Sequence, residues 1–245
     1  MGRMVRYRVR VARHEGPDWR QCDSCHLIIS VGQPYHEGDK LCALLGWVEA
    51  RFATVHVTVA DTLYRHNGGE LGGGEVAETR RRGDAWLERN RGVLGAATIH
   101  RWDDWLAHPG YPEARRRIDR FLADQLLFAE LVDRHVTAVV ARLAARGVSA
   151  GDRAGYTAYL VEELACMELF SRVLSAVEVY PGSLGLAMEG CRRLDGAPPG
   201  LVVRRNVQVD FRRRLGPAQS QPQDEDQAQQ DGGADADADP HGGQG

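Results

Sequence analysis

The sequence HLIISVGQPYHEG, residues 26–38, predicts a short buried strand that ends at a serine and leads into a Gly/Pro loop. The apolar run of this strand stops at Ser30. A helix is predicted from about Asp39 to about Phe52, because apolar residues recur there at helical spacing. The Ser30 hydroxyl should therefore lie at the carboxyl edge of a strand, where open α/β sheets bind their ligands.

A second strand is predicted at residues 53–60, ATVHVTVA, because β-branched residues dominate this run. Two strands joined by a helix form a βαβ unit, which implies parallel strands and a right-handed crossover. Similar patterns predict strands at residues 7–12, 93–99, 176–180 and 201–211, and helices at residues 75–91, 101–106, 113–146, 153–174 and 184–191. This alternation predicts an α/β fold: one Rossmann-like domain, residues 1–216, with a central, mainly parallel sheet flanked by helices.

Residues 217–245 differ in composition from the rest of the chain. They contain seven acidic residues, no Lys or Arg and no aromatic residue, so they are predicted to form a disordered acidic tail. Without them, the 34 acidic residues of the chain fall to 27, against 31 basic ones, and residues 1–216 carry a net charge near +4. A basic body rich in arginine favours an anionic partner.

The sequence offers no strong ATP or dinucleotide site. Lys40 is the only lysine, which excludes both a P-loop and a lysine-rich ATP loop. The segment GGGEVA, residues 72–77, fits the dinucleotide pattern, but more than ten residues separate it from the preceding strand. We expect a mobile glycine loop at this point. If the protein is an enzyme that uses an activated substrate, we expect another enzyme to have activated it.

The segment CDSCH, residues 22–26, matches the attachment motif of c-type haem. Haem attachment requires export, and the first ten residues lack the apolar core of a signal peptide. A zinc site would need a second ligand pair, and only scattered residues such as His14 and Cys42 are available. We therefore expect no metal and no cofactor. No apolar run is long enough to span a bilayer, so we expect a cytoplasmic, monomeric protein that contacts neither membrane nor DNA.

The predicted helix at residues 75–91 is rich in arginine. Its basic residues are Arg80, Arg81, Arg82, Arg89 and Arg91. A charge run of this kind usually forms a solvated face, but consecutive arginines also resemble a surface that follows phosphates. On this feature alone, RNA contact and plain solvation stay equally open.

Three other side chains could join Ser30 in one site. Tyr159 and Glu163 are four residues apart and so share a helix face, and Tyr180 ends a strand just before Pro181. A phenol and a carboxylate near a serine could hold a protonated amine and relay protons. Each residue also has a plain structural interpretation, as packing, solvated charge or strand-end aromatic, and their spacing leaves both interpretations open.

Six segments, in this order, resemble the cyclodipeptide synthases across roughly residues 20–190. They are IISVGQPYHEG from residue 28, VADTLYRHN from residue 59, GDAWLERN from residue 83, RWDDW from residue 101, YLVEE from residue 159 and VYPG from residue 179. One subgroup of that family has Asn three residues after its serine and His after its second tyrosine. This chain has Gln33 and Pro181 there, so it resembles the other subgroup, the one marked by Tyr-Pro.

The resemblance implies a fold similar to the catalytic domain of class I tyrosyl- and tryptophanyl-tRNA synthetases. It also implies a ping-pong reaction in which two aminoacyl-tRNAs yield a cyclic dipeptide, a 2,5-diketopiperazine. Ser30 would be the nucleophile that carries first an aminoacyl and then a dipeptidyl group. Tyr159 and Glu163 would bind the amino group, and Tyr180 would position the acyl group or relay a proton. The absence of an ATP site agrees with this reaction, because aminoacyl-tRNA is already an activated ester.

The resemblance also suggests the surroundings of the nucleophile. Ile28, Gln33 and Pro181 would belong to the substrate pocket, and the arginine-rich helix would be the tRNA-binding surface. The group that deprotonates Ser30 is left open between the tRNA 3′ end and His36.

Two other functions compete with this one. A serine hydrolase could use Ser30, but the chain has no G-x-S-x-G elbow. A non-catalytic module that binds tRNA or a nucleotide is the second alternative, and the presence of all four candidate site residues argues against it.

Overall fold

A six-stranded sheet runs through the described part of the chain, which comprises residues 7–16, 18–67, 75–147, 152–182 and 186–213 of the computed structural model. The strands are β1 (Tyr7–Glu15), β2 (Ser24–Ile29), β3 (Thr54–Val59), β4 (Thr98–Arg101), β5 (Val177–Pro181) and β6 (Arg205–Arg213). They lie in the order β1-β6-β5-β2-β3-β4. All neighbouring pairs are parallel except β1 and β6, which pair antiparallel at one edge. The predicted α/β class with a mainly parallel sheet is confirmed.

Helices cover both faces of the sheet. They are α1 (Gly38–Glu49), α2 (Val76–Leu94), α3 (Trp102–Leu106), α4 (Tyr111–Asp124), α5 (Leu126–Ala144), α6 (Arg153–Val173), α7 (Leu186–Cys191) and α8 (Pro199–Val203). Side chains of a strand alternate between faces. Accordingly, Leu27 and Ile29 pack with α1 and α2, whereas Ile28 packs with the cluster formed by α3 to α8. Burial on both faces explains the continuous apolar run in β2.

The helix predicted at residues 113–146 is two helices. The chain is extended at Gln125 (φ −113°, ψ 98°), which separates α4 from α5. The rings of Phe121 and Phe128, one on each helix, lie 4.6 Å apart across this break. Helix propensity is high throughout the segment, so the break reflects tertiary packing and carries no local sequence signal.

Two predicted strands begin later than expected. Residues 93 and 94 still belong to α2, which ends at Gly95 with a positive φ of 54°, and β4 starts only at Thr98. Residues 201–203 belong to α8, which begins at Pro199, and β6 starts at Arg205. Proline at the first position of a helix is favourable because its missing N–H would be unpaired there anyway.

Two predictions fall outside the described residues. The acidic tail at residues 217–245 is one, and the glycine loop at residues 72–74 is the other. Among the helices that the structure does describe, none is both long and apolar enough to cross a membrane.

Candidate active site

A cavity of about 390 Å³ opens at the carboxyl ends of β2 and β5. Residues of β2, β5, α5 and α6 line it. Four predicted site residues meet there although they are up to 150 positions apart in the chain: Ser30, Tyr159, Glu163 and Tyr180. The βαβ arrangement produces this convergence, because parallel strands deliver their following residues to one edge of the sheet.

The predicted pocket residues divide into two groups. Ile28 and Gln33 line the cavity with Ser30. Pro181 is the last residue of β5 and is buried, and it is not among the described residues that line the cavity.

Ser30 follows directly after β2 and is 9% exposed. Its Oγ lies 3.3 Å from the Tyr180 Oη. The chain turns away immediately, with a hydrogen bond of 3.2 Å from the Gln33 N–H to the Ser30 carbonyl. Gly32 has a φ of 86° in this turn, a conformation that glycine adopts without strain. The turn fixes the Ser30 hydroxyl at the carboxyl end of β2.

His36 stabilises that turn through two hydrogen bonds. Its Nδ1 accepts a hydrogen bond of 2.9 Å from the Ser30 backbone N–H, and its carbonyl accepts one of 3.0 Å from the Trp86 Nε1. Burial lowers the pKa of His36 to about 3, so the imidazole is neutral. Its only basic nitrogen is therefore already occupied by the backbone of the nucleophile.

Tyr35 and Tyr64 also line the cavity, next to Tyr180 and Tyr159, and neither was predicted as a site residue. The Tyr35 Oη lies 2.9 Å from the Tyr180 Oη, and the Tyr64 ring lies 6.0 Å from the Tyr159 ring. Burial raises the pKa of all four phenols, that of Tyr64 to about 12, so the cluster consists of neutral hydroxyls. Both missed residues follow a parallel strand within seven residues, and that position was the available signal.

Two neighbouring glutamates of α6 have opposite environments. Glu162 is 3% exposed and accepts hydrogen bonds from Trp102 Nε1 at 2.8 Å and His66 Nε2 at 3.1 Å, and it pairs with Arg65. Burial raises its pKa, but those hydrogen bonds outweigh burial and leave the pKa below its usual value. Glu163 lines the cavity, and burial raises its pKa to about 8. A carboxyl with that pKa can exchange a proton with an amine at neutral pH.

The five arginines of α2 lie in two different environments. Arg82 lines the cavity. The other four are exposed and paired with carboxylates: Arg80 with Asp103, Arg81 with Glu78, Arg89 with Glu37 and Arg91 with Glu88. Exposed ion pairs are weak, so their pairing does not prevent these arginines from exchanging a carboxylate for a phosphate.

The CDSCH segment lies in and before β2. Cys25 is fully buried there, and burial raises the pKa of its thiol to about 12. The His26 ring packs edge-on against Phe170 at 4.7 Å and shares a hydrogen bond of 2.7 Å with the Thr58 hydroxyl. Among the described residues, no group of three or more His, Cys, Asp or Glu is placed to hold a metal ion.

Comparison with known proteins gives matches in structure. No family model and no curated protein matches the sequence. A cyclodipeptide synthase from Fluoribacter dumoffii superposes with a TM-score of 0.72 at 24% identity, covering 84% of this chain and 100% of that chain. A Mycobacterium tuberculosis protein superposes with a TM-score of 0.59 at 14% identity, covering 87% of this chain and 96% of that chain. Its structure is described as relating cyclodipeptide synthetases to type I tRNA synthetases. A cyclodipeptide synthase from Candidatus Glomeribacter gigasporarum, bound to Phe-tRNAPhe, superposes with a TM-score of 0.51 at 14% identity, covering 79% of this chain and 89% of that chain. The chain therefore has the Rossmann-like fold of the solved cyclodipeptide synthases.

Proposed function

We propose that this protein is a cyclodipeptide synthase of the Tyr-Pro subgroup, which converts two aminoacyl-tRNAs to a cyclic dipeptide. The observation that carries this proposal is the meeting of Ser30, Tyr159, Glu163 and Tyr180 in one cavity at the carboxyl edge of the sheet. The shared fold supports it, and so do Gln33 and Pro181 at the positions that distinguish the subgroup.

In the first step, the Ser30 Oγ attacks the ester carbonyl of an aminoacyl-tRNA and the ribose oxygen of the tRNA departs. The serine proton passes to that oxygen, either directly or through Tyr180, whose Oη is 3.3 Å from the nucleophile. His36 does not take the proton, because its Nδ1 already accepts the Ser30 N–H. The product is an aminoacyl ester of Ser30 and a free tRNA.

In the second step, the amine of the Ser30-bound residue attacks the ester carbonyl of a second aminoacyl-tRNA, the peptide bond forms, and the ribose oxygen of that tRNA departs with a proton. Attack in the opposite direction would release Ser30 and leave a dipeptidyl-tRNA, so only this direction keeps the dipeptide on the enzyme. Glu163 binds the α-ammonium group with Tyr159 and accepts its excess proton, a role that its pKa of about 8 suits. The new terminal amine then attacks the Ser30 ester, which closes the ring and restores the hydroxyl.

The direct test is to mix the purified protein with charged tRNA, quench in acid and measure its intact mass. We expect a covalent aminoacyl adduct that maps to Ser30 and a cyclic dipeptide in the supernatant. Hydrolysis of simple esters at a rate independent of tRNA would contradict the proposal and favour a serine hydrolase. Binding of tRNA without any adduct would favour the non-catalytic module.

Replacing Tyr180 with phenylalanine should lower kcat for cyclic dipeptide formation about 100-fold, a typical contribution of one positioned proton-transfer group. The variant keeps the ring but removes the hydroxyl that contacts both Ser30 and Tyr35. Steady-state product formation by mass spectrometry measures the effect. Tyr7→Phe, at the edge strand β1, serves as the control. An unchanged kcat in Tyr180→Phe would remove this hydroxyl from the mechanism.

Replacing both Arg81 and Arg91 with alanine should raise KM for aminoacyl-tRNA and flatten its dependence on salt. Each lost phosphate contact reduces the slope of log affinity against log salt by about 0.7 to 0.9. Both side chains are exposed and outside the cavity, so kcat at saturating tRNA should stay the same. The double variant Arg116→Ala, Arg120→Ala on α4 is the matched control. An equal salt slope in both double variants would show that Arg81 and Arg91 do not contact tRNA phosphates.

A further inference from the structure

Two buried polar side chains of the cavity lining, His26 and Glu178, have no role in the proposed reaction. His26 on β2 and Glu178 on β5 are partners in the parallel register, so they lie side by side on the sheet. Both line the cavity, and they are only 1% and 4% exposed. Polar side chains are costly to bury at such a position unless each hydrogen-bonding atom finds a partner.

One atom of each side chain finds no such partner among the described residues. The Glu178 Oε2 accepts a hydrogen bond of 2.6 Å from the Arg204 Nε, but its Oε1 has none. The His26 Nε2 is paired with Thr58, but its Nδ1 has none. Buried polar atoms are nearly always satisfied in proteins, so this pair points to a ligand that completes the two hydrogen bonds.

The surrounding hydrogen bonds assign the proton of His26. The Thr58 hydroxyl oxygen accepts a hydrogen bond of 2.9 Å from the Trp105 Nε1. The remaining described contact of that hydroxyl is the His26 Nε2, so its own hydrogen is donated there. Since burial keeps the imidazole neutral, its proton resides on Nδ1. The cavity lining therefore presents one donor, His26 Nδ1–H, beside one acceptor, Glu178 Oε1.

The distance from the nucleophile sets the length of the complementary side chain. His26 lies four residues before Ser30 on the same strand, which corresponds to about 13 Å along β2. Side chains of Ala, Ser or Val are too short to bridge such a span from an acyl group on Ser30. The apolar side chains of Ile28, Leu160 and Met167 also line the cavity, and they suit an aliphatic or aromatic stem.

We propose that the aminoacyl group carried by Ser30 has a long, uncharged side chain whose end both donates and accepts a hydrogen bond, as glutamine and tyrosine do. This inference rests on the proposed function. The glutamine amide fits both atoms at once, with its oxygen accepting from His26 and its NH₂ donating to Glu178. A cationic side chain would face the His26 donor, and an anionic one would face the Glu178 carboxylate.

The test compares side chains of similar size that differ in polarity. Glutaminyl-tRNA is compared with methionyl-tRNA, and tyrosyl-tRNA with phenylalanyl-tRNA, each supplied alone, and the Ser30 adduct is quantified by intact mass after rapid acid quench. We expect the polar member of at least one pair to load ten-fold or more faster, because a site built for hydrogen bonds rejects analogues that lack them. Apolar members that load as fast in both pairs would overturn the inference.

Variants connect this preference to His26. In His26→Leu the polar-to-apolar loading ratio should fall at least ten-fold, whereas His14→Leu, the same change at an exposed residue of β1, should leave it unchanged. Circular dichroism establishes that both variants are folded. A folded His26→Leu protein with the original ratio would contradict the inference. Failure of every aminoacyl-tRNA to load would instead overturn the proposed function itself, together with the inference.

Discussion

Replacing Ser30 with alanine should abolish both the aminoacyl adduct and the cyclic dipeptide, with a loss of at least about 10⁴-fold in rate. The loss should be this large because Ser30 is the residue that forms both covalent intermediates of the proposed cycle. It accepts the first acyl group and holds the dipeptide until the ring closes. Removing the hydroxyl leaves a methyl group at the end of β2 and deletes the contact to Tyr180. Intact mass and quantification of cyclic dipeptide measure the two effects separately.

Ser171→Ala provides the matched control. This serine lies on α6, outside the cavity, and its hydroxyl donates to the Met167 carbonyl at 3.0 Å. The control should load and turn over at the wild-type rate. Cyclic dipeptide formation by Ser30→Ala at more than about one hundredth of the wild-type rate would disprove covalent catalysis through this residue.

Replacing Glu163 with glutamine should lower the rate about 1,000-fold and stabilise the folded protein at the same time. The amide keeps the size of the carboxyl but cannot accept the proton that the attacking amine must lose. Stability should rise because the buried carboxyl must keep a proton that the unfolded chain releases above about pH 4.5, and glutamine carries no such cost. Turnover assays and thermal unfolding of the free protein measure the two effects.

The gain in stability should depend on pH in a defined direction. The pKa of Glu163 is raised from 4.5 to about 8 in the folded protein, mainly by burial. Between these values the unfolded chain releases the proton while the folded chain keeps it, so wild-type stability falls as pH rises. Below about pH 4.5 both states are protonated and the effect vanishes. The Tm advantage of Glu163→Gln should therefore grow from pH 5 to pH 8.

The variant of the adjacent residue, Glu162→Gln, is the matched control because folding shifts the pKa of Glu162 in the opposite direction. The pKa of Glu162 is lowered on folding, so its carboxylate contributes stability above its unfolded pKa. This variant should have a lower Tm than the wild type at pH 7. An equal Tm change for the two variants would show that the opposite environments of these carboxyls do not govern stability.

Local sequence signals predicted the elements that carry the nucleophile. The apolar run before Ser30 and the Gly/Pro loop after it identified both the end of β2 and the start of α1. The spacing of Tyr159 and Glu163 correctly predicted a shared helix. These features depend on residues within a few positions of each other, and their physical causes are local.

Features that depend on distant packing were not predicted. The break at Gln125 has no local sequence signal, and the role of His36 follows from a hydrogen bond back to Ser30. The convergence of Ser30 with Tyr180 required the resemblance to a known family, because no spacing rule relates residues that come together only through strand order.

The neighbouring glutamates Glu162 and Glu163 separate stability from chemistry within one dipeptide. Glu162 is tied to Arg65, His66 and Trp102, and so fixes the rotation of α6. Glu163 therefore faces the cavity without having to contribute to folding. By the proposed function, a single base change from a Glu codon to a Gln codon at position 163 would remove the activity and leave the fold intact. Inactive descendants with an intact architecture are consequently one step away, and they should be sought at position 163.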